Sequence, residues 1–91
     1  MRVRELLWDD WNEEHIAAHA VLPEEVEESV FSPSSLLVRV KGSRYRVIGQ
    51  TKSGRHLTTI LDREANGRFY PVTARDATDN ERRRLKHWRG D

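Results

Sequence analysis

From Leu36 onward the chain alternates, with Leu36, Val38 and Val40 set against Leu37, Arg39 and Lys41, and the alternation is interrupted at Gly42-Ser43, Lys52-Ser53-Gly54 and Asn66-Gly67. A period of two puts successive side chains on opposite faces of a sheet, and turns this short join antiparallel neighbours. The pattern predicts a meander: a first strand from Leu36, a second over Tyr45–Thr51, a third over His56–Leu61 and a fourth over Phe69–Ala74. Pro71 has no N–H to give a ladder, so the fourth strand is expected at an edge, or with the missing donor turned outward.

The first 35 residues follow another rule. Glu5 to Trp8 reads as a short strand, and Asp10 with Glu13 three residues later forms a capping box for a helix from about Trp11 to His19. Asn12, His15, Ile16 and His19 would share one face of it. Trp8 is expected in the core and Trp11 partly so. Pro23 suits a first helical position, Glu24 and Glu25 favour the positive end of the helix dipole, and Val26 with Val30 supplies a buried stripe before Ser32-Pro33-Ser34-Ser35. Thr78 and Glu81 form a second capping box for a C-terminal helix, whose apolar stripe is Leu85 and Trp88. The expected fold is α+β, a single domain over residues 1–91: a four-stranded antiparallel sheet, two short N-terminal helices and one C-terminal helix, with an extra strand at residues 4–8 as an option.

Composition narrows the chemistry. No cysteine is present among the 91 residues, which excludes disulfides and thiolate catalysis and fits a reducing cytoplasm. No stretch approaches the roughly 20 apolar residues of a membrane span, so the expectation is a soluble, cytoplasmic protein with no membrane partner. The net charge of +1 conceals a division: residues 1–35 hold two basic and nine acidic side chains, residues 36–91 fourteen basic and six acidic. A basic half of this kind suits a surface that meets phosphate, although acidic helices packed beside a basic sheet would produce the same split.

Two stretches carry more specific information. Trp8-Asp9-Asp10-Trp11-Asn12-Glu13-Glu14-His15-Ile16-Ala17-Ala18-His19-Ala20-Val21 lies near the start, and Val72-Thr73-Ala74-Arg75-Asp76-Ala77-Thr78 followed by Glu81-Arg82-Arg83-Arg84 near the end. Together they resemble the BrnT-like toxins, in which a WD pair opens a helix bearing His and Asn, and a strand ending in S/T-A-R-x-A leads into an E-R helix. The common Lys-His-Gly-Val at the end of the first helix is here Ala18-His19-Ala20-Val21. The resemblance implies a RelE-like fold and a metal-independent endoribonuclease toxin of a type II toxin–antitoxin system that inhibits translation by cutting RNA. It also implies a cognate BrnA-like antitoxin, with a homodimer or a toxin–antitoxin heterotetramer as the assembly.

A metal-free ribonuclease must help a ribose 2′-hydroxyl attack the adjacent phosphate, which calls for a base, an acid and fixed positive charge. The resemblance assigns Arg75, the Arg of the A-R pair, and His19, the His before Val, as catalytic candidates. Arg46 joins them as a phosphate-binding cation, and Glu25 as a group that could orient a base or an Arg. Arg44, Arg55, Tyr70, Arg82, Arg83 and Lys86 are the RNA-binding candidates, Tyr70 through a hydroxyl beside Arg75. Each has an ordinary structural alternative: an Arg paired with the acidic helices, a packing His, a Tyr bonded to a carbonyl, the Glu24–Glu28 block as a solvated face. His15 and His19 stand four apart, as two metal ligands on a helix would, but only Asp9 or Glu25 could add to them, so no metal and no cofactor is expected. The rival function is a non-catalytic RNA-binding or protein-interaction module of the same fold.

Overall fold

The computed structural model describes residues 2–90. Its elements are β1 (Glu5–Leu6), α1 (Asp10–Ala17), α2 (Pro23–Val30), β2 (Leu36–Lys41), β3 (Arg44–Gln50), β4 (His56–Arg63), β5 (Arg68–Asp76) and α3 (Asp79–Arg89). The alternating half folds as the expected meander, with β2 to β5 pairing antiparallel in sequence order. Asn66 and Gly67 both take positive φ, 57° and 79°, the backbone twist that a tight hairpin between right-twisted strands requires.

The four-stranded expectation needs one correction. β1 pairs parallel to β5, Glu5 with Arg68 and Leu6 with Phe69, making a five-stranded mixed sheet of order β1-β5-β4-β3-β2. A two-residue strand has no period to read, and no local turn announces its partner. β5 is therefore interior, and Pro71 is accommodated by a bulge. Ile60 pairs with Thr73 but Leu61 with Pro71, which leaves Val72 extra, and the β1 side ends with Leu7 N–H donating to Phe69 at 2.9 Å.

The cap of α1 also lies one residue earlier than expected. Asp9, rather than Asp10, accepts from the Asn12 N–H at 2.9 Å, while the Asn12 side-chain oxygen accepts from the Asp9 N–H at 2.9 Å. The Asn12 amide nitrogen then donates to the carbonyls of Leu7 at 2.9 Å and Pro71 at 3.0 Å. Fully buried Asn12 thus ties the helix start, the end of β1 and the β5 bulge together. It turns inward with Ile16, whereas His15 and His19 are exposed. Trp11 stacks on His15 with ring centroids 4.9 Å apart, and at 56% exposure it is a surface residue, not a partly buried one. Trp8 packs against the core and donates its indole N–H to Glu27 at 2.8 Å.

Helices α1 and α2 cover one sheet face. Ile16, Val21, Val26 and Val30 form a single cluster with Tyr45, Val47, Leu57, Leu61, Phe69 and Ala74. Alternation sends Arg44, Arg46 and Ile48 of β3, His56, Thr58 and Ile60 of β4, and Arg75 of β5 to the opposite face. Helix α3 sits there against β3, and fully buried Leu85 and Ile48 lie outside the main cluster, so α3 covers a small second apolar layer. Trp88, expected to extend that stripe, is 60% exposed.

The end of α1 stores strain. Val21 N–H donates to Ile16 at 3.1 Å and Ala20 N–H to Ala17 at 2.9 Å, with Ile16 and Val21 both buried. This is the helix stop that glycine usually completes, and here Ala20 holds φ at 58°. A Cβ in the left-handed region costs ~1–2 kcal/mol, partly offset by the lower unfolded-state entropy of alanine. Ala20→Gly is therefore expected to stabilise the protein by roughly 1 kcal/mol, raising Tm by about 4–8 °C in a thermal melt. A Tm that stays or falls would show that this turn is relaxed.

Candidate functional site

On the α3 face, Glu81 gathers the cations that the sequence put first. Arg75 donates to its two carboxylate oxygens at 2.8 and 3.1 Å, and Arg46 approaches within 3.7 Å. Thr58 Oγ1 and the Thr78 N–H also donate to Glu81 Oε1, each at 2.9 Å. The capping box explains why Glu81 is here: as the third residue of α3 it must reach back to Thr78, which turns its carboxylate onto the sheet. The Arg75 hydrogen bonds, opposed by burial and assisted by Thr78 and Thr58, hold the Glu81 carboxyl at about 2. The same pair raises the Arg75 pKa further. Two guanidiniums on one carboxylate leave an excess positive charge and spare N–H donors; the Arg75 and Arg46 side chains are 42% and 30% exposed. The Arg46 Nε is buried without a hydrogen-bond partner.

A second group lies on the other face. Arg55 donates to Asp76 at 2.7 Å, to the Ala20 carbonyl at 2.8 Å and to Glu25 at 3.0 and 3.2 Å. Glu25 also accepts from the Leu22 N–H at 3.0 Å, capping α2. Arg55 thereby clamps the strained Ala20 turn between α1 and α2 to the end of β5, and its pKa rises, first through Asp76. His19, beside that turn, is exposed and meets His15 edge to face at 5.9 Å. Arg44 pairs with Asp62, its cross-strand neighbour, at 2.9 and 3.0 Å. The Tyr70 hydroxyl donates to Asp9 at 2.9 and 3.0 Å rather than lying with Arg75. The acidic block of α2 is less solvated than expected, since Glu25, Glu27 and Glu28 each receive a donor, the last from the Lys52 N–H at 3.1 Å.

Between β4 and α3 lies a cleft of about 430 Å³ lined by His56, Asp79, Arg82, Arg83 and Lys86. The four α3 residues follow the three-and-four spacing of one helix flank. Arg83 hydrogen-bonds Asn80, whereas Arg82 and Lys86 are exposed. Burial, and then the positive charges of Arg82 and Arg89, push the His56 pKa below its ordinary 6.5. Sequence reasoning passed over His56, because a single His opening a strand carries no spacing signal; only the approach of α3 gives it charged neighbours. No group of three or more His, Asp or Glu among the described residues could hold a metal ion. Among them, too, no helix is long and apolar enough to cross a membrane.

No protein-family model and no curated protein matches the sequence. A solved structure does: the 1.1 Å crystal structure of the Brucella abortus ribonuclease toxin BrnT is similar over 82% of this chain and 97% of that one, with a TM-score of 0.66 and 18% identity. The chain is thus similar to BrnT in fold.

Proposed function

Taking the BrnT fold as premise, we propose that this chain is a divergent, RelE-like endoribonuclease toxin of a type II toxin–antitoxin pair, cutting RNA without a metal or other cofactor and so inhibiting translation. The likeness to a ribonuclease toxin across nearly all of that chain carries the reading. The cations on the α3 face support it, because cleavage of a phosphodiester needs fixed positive charge where the phosphorane forms. In this reading Arg75 and Arg46 neutralise that charge, Arg82, Arg83 and Lys86 grip flanking phosphates, and Arg44 extends the track along β3. His19, Glu25 and Arg55 serve the same RNA only where it wraps round to the α1 side, and Tyr70, opposite Asp62 in the sheet, only where it passes the α1 N-cap. The domain would work in the cytoplasm, with a BrnA-like antitoxin covering the cationic face, as a homodimer or within a heterotetramer.

One observation favours the non-catalytic alternative: Glu81 already engages both Arg75 and Arg46, as in a structural ion-pair network. Induced expression in a bacterial host separates the two. A toxin arrests growth and fragments cellular RNA, and Arg46→Ala relieves both at equal protein level. Unimpaired growth with intact RNA, while soluble protein accumulates, would favour the binding module.

A further inference from the structure

We propose that the cleft between β4 and α3 supplies the base for this RNA cleavage, with His56 as the proton acceptor and Arg82 and Lys86 gripping the phosphates next to the one that Arg75 and Arg46 meet. This rests on the ribonuclease reading and locates its chemistry at a residue outside the sequence-derived candidates. The cleft joins a half-buried imidazole to a cationic helix flank, a base and fixed positive charge in one concavity. His56 also shares its strand face with Thr58, which bonds Glu81 and stands opposite Arg75 in the β4–β5 register. An RNA strand crossing this face would meet Arg75 and Arg46, gathered with Thr58 on Glu81, beside the strand end that carries His56.

The groups around the imidazole explain its state. From α3, Arg82 and Arg89 lower its proton affinity, and Arg83, Lys86 and Asp79 line the cleft beside it. From β3, Gln50 pairs with it in register and accepts from Arg89 at 3.1 Å. From β5, Asp76 lies on the other face, where it pairs with Arg55, and just past the strand the Ala77 N–H donates to the His56 carbonyl at 3.0 Å. Burial first, and then the charges of Arg82 and Arg89, favour the neutral ring, the form able to take a proton. In the step, a His56 ring nitrogen takes the 2′-hydroxyl proton, the 2′-oxygen bonds to phosphorus, and the phosphorus–O5′ bond breaks with its electron pair leaving on O5′. Water protonates O5′, and the hydroxide so formed takes the proton from His56. The products are a 2′,3′-cyclic phosphate and a 5′-hydroxyl, with no net change in protons.

The test is a pH–rate profile for cleavage of a structured RNA by the full chain, its His56→Gln variant and its Arg82→Gln variant, with binding to a 2′-O-methyl RNA of the same sequence measured in parallel. The wild-type rate should rise through a pKa below 6.5 to a plateau. His56→Gln should cut at least 100-fold more slowly at pH 7, lose the acidic limb and bind the methylated RNA as before. Arg82→Gln, altered only at an exposed side chain, should bind more weakly and shift the acidic limb to higher pH, because a charge opposing protonation is gone. Unchanged cleavage and an unchanged limb in both variants would overturn the assignment of His56 and leave the ribonuclease reading standing. Absence of cleavage by the wild-type chain would overturn that reading, and the role of His56 with it.

Discussion

Gly49→Ala should destabilise the protein by at least ~3 kcal/mol, the upper end of what overpacking costs, and lower Tm by more than about 12 °C. A Cβ at this position of β3 would lie 2.1 Å from the Ser29 carbonyl oxygen and 2.8 Å from its carbon. Both belong to the backbone of α2, so no side-chain rotation relieves the overlap. The helix would have to withdraw from the sheet, loosening Val26 and Val30 from the main cluster. Urea titration checks this. The midpoint should drop without a change in slope, since the unfolded surface is the same. A loss below about 0.5 kcal/mol would mean that α2 does not seat on Gly49 so closely.

Glu81→Gln is the second large effect, and its dependence on pH is diagnostic. The folded carboxyl sits at about 2 against an ordinary 4.5, which corresponds to ~3 kcal/mol of stability. Because the folded value is the lower one, that stability is fully present above about 4.5 and is lost as pH falls toward about 2. The amide keeps the shape of the side chain but leaves Arg75 and Arg46 without their anion. The difference between wild type and variant should therefore be roughly 3 kcal/mol at pH 6 and shrink steadily below pH 4.5. Asp9 and Asp76, also held below their ordinary values by the backbone of Asn12 and by Arg55 respectively, act in the same direction in both proteins and leave the difference intact. A difference that persists unchanged to pH 2.5 would show that Glu81 stabilises through packing alone.

Local rules account for what was legible in the sequence. The meander follows from alternation and turn residues, and α3 from the Thr78–Glu81 box; both depend on neighbours within a few positions. Long-range pairing defeated the same reasoning. β1 finds β5 some sixty residues away, and Asn12, grouped with two histidines by helical spacing, is drawn inward by carbonyls at Leu7 and Pro71. The candidate site divides in the same way. Arg44 and Arg46 share a face because β3 alternates, but their partners Asp62 and Glu81 come from other elements. His56 gained interest only once α3 folded over it. Arg55, read as RNA-binding, and Glu25, read as orienting a base or an Arg, are joined across the α1–α2 turn by a geometry with no sequence signature.

Cleavage of a mixed structured RNA by the purified chain, with and without EDTA, tests the central claim most directly. The account predicts that the wild-type chain cuts equally well in EDTA and leaves 2′,3′-cyclic phosphate ends, and that Arg75→Ala abolishes cutting while the protein stays folded. RNA left intact by the folded wild-type chain, or cutting that EDTA abolishes, would contradict it.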